Sequence, residues 1–149
     1  MRSAACNAAA IAMLLLGGAE SAPAQVRAKA QVRVKADVAC KPAVEKLNYD
    51  CIFKLANART SEPLSGLGLM VGADMPSMPA AHNVRPVKAT EDEEKGTYRA
   101  RIVLEMYGDW ALRLDLSGAV RDRVIKVLRF QSDHVGEATP APSPGGHRH

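Results

Sequence analysis

The residues best suited to chemistry lie together in Asp74-Met75-Pro76-Ser77-Met78-Pro79-Ala80-Ala81-His82-Asn83. Two thioethers and an imidazole fall within eight residues, and Pro76 and Pro79 keep that segment from closing into a helix or entering a central strand. Thioether sulfur and imidazole nitrogen are soft to borderline donors that suit Cu(I) better than hard cations. Met75, Met78 and His82 form a three-donor set along an extended loop, and Met70 or Met106 can add a further sulfur from adjacent strands. A second reading uses the same residues without a metal. Methionines fill irregular gaps at the open end of a β-fold, and His82 is then an ordinary loop histidine.

These donors need a scaffold, and the pattern of the chain supplies one. Tyr49, Cys51, Phe53 and Leu55 alternate with polar or smaller neighbours, as do Trp110, Leu112, Leu114 and Leu116. Tyr98, Ala100, Ile102, Leu104 and Met106 form a third such row, facing inward together. Period-two alternation marks half-buried strands. Leu67 to Val71 and Val124 to Phe130 add apolar runs, and Tyr107-Gly108-Asp109 has hairpin length. About seven short strands without a long helical period predict an all-β antiparallel sandwich, with Trp110 between its sheets.

The ends have other roles. Arg2, the apolar run Ala8 to Leu16 and Ala22-Pro23-Ala24 read as a cleaved signal peptide over 1–24. The run is too short to span a membrane, and cleavage leaves a mature chain that is periplasmic or secreted, without a transmembrane segment. The formal charge of +4 is unchanged by that cut, because Arg2 and Glu20 leave together. Residues 25–47 form a basic extended leader or edge strand, 48–130 the sandwich, and 131–149 a disordered tail rich in proline, glycine and histidine. The basic stripe Arg27, Lys29, Arg33 and Lys35 lacks the interleaved aromatics of single-strand binding, so nucleic acid is not an expected partner. His134, His147 and His149 are weak donors for divalent ions, or simply solvated.

Cys40 and Cys51 survive cleavage. In an oxidising compartment they read first as a disulfide, with a thiolate metal pair and two free thiols as the alternatives. No Gly-x-Ser-x-Gly, His-Glu-x-x-His or phosphate-cradling glycine loop occurs, and the chain reads as a non-enzyme.

Tyr49-Asp50-Cys51, the Asp74–Asn83 segment, Gly96-Thr97-Tyr98, Met106-Tyr107-Gly108-Asp109-Trp110 and Arg121-Asp122-Arg123-Val124 together resemble the YtkA-like/FixH-like family of small exported domains. The resemblance implies an immunoglobulin-like β-sandwich, no catalytic machinery, and an accessory role in copper handling or haem–copper oxidase assembly. The implied partners are membrane or periplasmic complexes of oxidase assembly or metal efflux. Family members often carry Met-Pro-x-Met-Pro-Met-Ala-His, whereas here Ala80 stands at the third methionine position. The alternative function is a non-catalytic module that docks on such a complex without metal.

Overall fold

Alternation turns directly into strands. The computed structural model describes residues 31–82 and 84–138. The expected signal peptide, the start of the basic leader and the chain from Thr139 lie outside the described residues. The strands are β1 (Val34–Pro42), β2 (Asn48–Asn57), β3 (Gly68–Asp74), β4 (Val87–Glu91), β5 (Thr97–Val103), β6 (Gly108–Ser117), β7 (Asp122–Phe130) and β8 (Val135–Glu137). Among the described residues no helix is long and apolar enough to cross a membrane.

All neighbouring strands are antiparallel, in the order β1-β2-β5-β4-β3-β6-β7-β8. β4 makes the corner. Val87 to Ala89 pair with β3, while Thr90 and Glu91 pair with β5, so one ladder folds into two facing layers. The layers are β1-β2-β5-β4 and β3-β6-β7, with β8 added at the edge; the first seven strands have the order of a seven-stranded immunoglobulin-like sandwich. The far side nearly closes into a barrel, because the Val34 amide donates to Asp122 Oδ2 (2.8 Å) and the Tyr49 hydroxyl donates to the Gln131 carbonyl (2.8 Å).

The inward faces are those the alternation marks: Tyr49, Phe53 and Leu55 from β2, Tyr98 and Ile102 from β5, and Trp110, Leu112 and Leu114 from β6. Tyr49 meets Phe130 edge-on, with ring centroids 4.8 Å apart. The Tyr98 hydroxyl donates to the Leu64 carbonyl (3.1 Å) and accepts from the Leu67 amide (3.0 Å), so its burial leaves no orphaned polar atom.

Two expectations shift. Met106 does not face inward with Ile102 and Leu104, because β5 stops at Val103 and Met106 lies exposed in the following hairpin. The chain also keeps its order beyond Phe130. Gln131 bonds His134 through the backbone, and β8 pairs with β7 from Phe130↔Val135 to Leu128↔Glu137. A three-residue strand carries too short an alternation to be seen in sequence.

Cys40 and Cys51 face each other across β1 and β2 and are joined by a disulfide, Cα atoms 4.1 Å apart. Their sulfurs are therefore not thiolate ligands.

Bidentate pairs stitch the outer faces: Arg129 to Asp109 (2.6 and 2.8 Å) and Arg101 to Asp50 (2.8 and 3.1 Å). The hydrogen bonds from Arg129 hold the Asp109 carboxyl below the ordinary aspartate range, against an opposing push from burial, and Arg101 does the same for Asp50. A carboxyl with a lowered folded pKa contributes stability above its unfolded value and loses it as pH falls through the folded one. The urea midpoint is therefore expected to hold from pH 7 to 5 and fall below about pH 4. Asp109→Asn should flatten part of that acid limb, and a wild-type midpoint that does not fall would contradict the assignment.

Candidate metal centre

The β3–β4 loop starts with a cap. The Asp74 carboxylate accepts from the amides of Met75 (2.9 Å) and Ala80 (3.2 Å), drawing the loop into a ring. Two turns follow in series. The Met75 carbonyl accepts from the Met78 amide (3.0 Å) and the Met78 carbonyl from the Ala81 amide (3.2 Å). Each turn has proline at its second position, where a φ near −65° is already set. Ala80 occupies the third position of the second turn with φ 59°, which is where a type II turn requires positive φ. The extended loop expected from the prolines is thus a coiled one.

Coiling separates the donors by depth. Met75 is 4% exposed and belongs to the core, while Met78 is 43% exposed. The Met75 methyl lies beside Gly108, where an added Cβ would approach it to 3.0 Å, and Gly108 has φ 144°. The positive φ requires glycine there, and the Met75 methyl would have to shift for a side chain. Gly108→Ala is expected to destabilise the domain by about 1–3 kcal/mol and to push Met75 outward, read from the urea midpoint and the Met75 methyl shift. An unchanged midpoint would contradict this packing.

His82 sits against the core at the same end. Its ring lies 5.1 Å from that of Trp110, and its side chain is 13% exposed. Nδ1 is 2.7 Å from Glu105 Oε2. An ionised carboxylate only accepts, so Nδ1 is the donor to it, and in the neutral imidazole Nε2 then keeps its lone pair. That Nε2 is buried and has no hydrogen-bond partner among the described residues. Glu105 belongs to the β5–β6 hairpin, whose next residue, Met106, is 40% exposed and accepts from Trp110 Nε1 through its carbonyl (3.1 Å).

The fold therefore gathers Met75, Met78, His82 and Met106 at one end of the sandwich. Met70 is not among them. It points outward from β3 between Lys88 and Asp115, and lies about 13 Å along the strand from Asp74. Glu105 is the participant that sequence reasoning missed. Among the described residues there is no group of three or more His, Cys, Asp or Glu that could hold an ion.

The YtkA-like family model matches residues 28–115, more than half of the chain, and spans β1 to most of β6. The chain belongs to the YtkA-like family. The match includes the methionine loop, Glu105 and Trp110, and it stops before β7. YtkA-like proteins are accessory domains of a non-catalytic type. The match is to YtkA-like proteins, and the FixH-like part of the resemblance is compatible with it. No curated protein and no solved structure matches this YtkA-like chain.

Proposed function

We propose that this YtkA-like domain is an exported accessory protein that binds or delivers copper as Cu(I). Met75, Met78 and Nε2 of His82 are the donors, with Met106 at hand from the hairpin. The observation that carries this reading is the buried, unpartnered Nε2 of His82, whose other ring nitrogen is fixed by Glu105. A carboxylate on the far nitrogen is the usual way to orient a metal-ligating histidine, and a buried polar atom without a partner is costly unless something fills the position. Soft donors at the rim of an apolar core favour the monovalent ion.

The test is a Cu(I) titration of the chain from Gln25 against a chromophoric chelator. One ion is expected to bind tightly, and Met75→Ala/Met78→Ala to weaken that binding by about 100-fold or more; Glu105→Gln should weaken it by about 10–100-fold. A version ending at Ala138 keeps β8 and should bind as the longer chain does. No competition with the chelator, or binding that disappears with the histidine tail, would contradict the reading.

A second reading rests on the deep burial of Met75: the loop is a core cap with an exposed methionine rim that docks on a membrane or periplasmic complex without metal. In that case a partner captured by the wild type is retained with copper chelated and lost on Met78→Ala/Met106→Ala.

A further inference from the structure

The outer face of the β1-β2-β5-β4 layer is concave. Its groove, of about 660 Å³, is bordered by Lys41, Lys88, Arg99 and Arg101 over a floor of the Ile52 side chain and the strand backbone at Ala100, with Asp50 as the one acidic residue along it. The strand register builds this arrangement. Lys41, Asp50 and Arg101 form one cross-strand row, and Ile52, Arg99 and Thr90 form the next.

The four cations are not equally occupied. Asp50 holds Arg101 in a bidentate grip, and Glu45 approaches the same guanidinium at 3.6 Å. Arg99 is tied to Asp92 through Nε alone, so its remaining N–H groups are aimed but not engaged. Lys41 and Lys88 make no ion pair among the described residues. The nearest acidic run of the chain does not neutralise them: Glu94 pairs with Lys54, Asp92 with Arg99, and Glu91 accepts from the Gly66 amide. The segments outside the described residues at either end contain a single acidic residue, Glu20. The groove therefore presents a positive surface that an acidic partner would complement.

We propose that the groove is the docking site for an acidic, extended peptide segment of a partner protein. Its carboxylates face Lys41, Lys88 and the open edge of Arg99, and an apolar side chain between them rests on Ile52. A concave face admits a chain, whereas a bilayer surface would touch only its rims. Lys41 is the penultimate residue of β1, Lys88 the second residue of β4, which follows the methionine loop, and Arg101 lies near the end of β5 that leads to Glu105. A partner held here has its surface beside that loop. The proposal does not depend on copper binding and is tested without it.

The experiment follows fluorescence anisotropy of a labelled hexaglutamate peptide with the copper-free chain from Gln25. Inorganic phosphate and phosphatidylglycerol vesicles are run as separate arms. Saturable binding is expected that weakens with salt and falls about tenfold or more in Lys41→Glu/Lys88→Glu. Arg59→Glu/Lys95→Glu changes the net charge equally outside the groove and should leave binding within about twofold. Thermal melts check that both variants fold. Equal losses in the two variants, absence of peptide binding at low salt, or binding of phosphate or vesicles in place of the peptide would each overturn the proposal.

Discussion

Trp110→Ala is expected to lower the unfolding free energy by about 3–5 kcal/mol, the usual cost of truncating a large buried aromatic. Trp110 is fully buried between the two layers, so no solvent-side relaxation can fill the space. The substitution also leaves the Met106 carbonyl without the indole donor that fixes the hairpin, and it removes the surface on which the His82 ring rests. A domain of this size has roughly 5–15 kcal/mol to lose, so the variant should unfold at far lower urea. Far-UV circular dichroism is the suitable probe because the only tryptophan is gone. Trp110→Phe keeps most of the apolar volume and should lose about half as much or less. A loss under about 1 kcal/mol in the alanine variant would mean that the tryptophan does not organise this end of the sandwich.

Removing the disulfide is the second large effect. Cys40 and Cys51 are 11 residues apart, and the chain-entropy relation gives about 3 kcal/mol for a loop of that length. β1 is an edge strand, so the cross-link also anchors the strand with pairing on one side only. Cys40→Ala/Cys51→Ala, or reduction of the wild type, should lower the urea midpoint by a corresponding amount. In the double alanine variant Cu(I) stoichiometry should not change, because the cysteines lie on β1 and β2 and the proposed donors on the β3–β4 loop and the β5–β6 hairpin. A reduced protein as stable as the oxidised one would contradict the stabilising role. Loss of copper with the cysteines would move the metal to the wrong layer.

Much of the fold is readable because period-two burial is a local signal. Tyr49, Cys51, Phe53 and Leu55 point inward as their alternation requires, and so do Trp110, Leu112, Leu114 and Leu116. The corner in β4 is not readable, since it depends on which strand each half of a five-residue segment pairs with. The loop shows the same limit at finer scale. Its prolines announce turns, but the burial of Met75 follows from the cap by Asp74, from positive φ at Ala80 and from the space beside Gly108. Spacing alone ranked Met70 and Met106 together. The strand register puts Met70 on the outer face far from the loop, while Met106 follows Glu105, whose carboxylate bonds His82. Glu105 left no mark in the sequence beyond a polar position after a strand, because its bond to His82 spans 23 residues of chain.

X-ray absorption at the copper edge on the Cu(I)-loaded chain from Gln25 tests the copper reading most directly. The account predicts a sulfur shell together with a single imidazole nitrogen, the nitrogen lost in His82→Ala and the sulfur reduced in Met75→Ala. A shell of light atoms alone, or one that neither substitution alters, would contradict it.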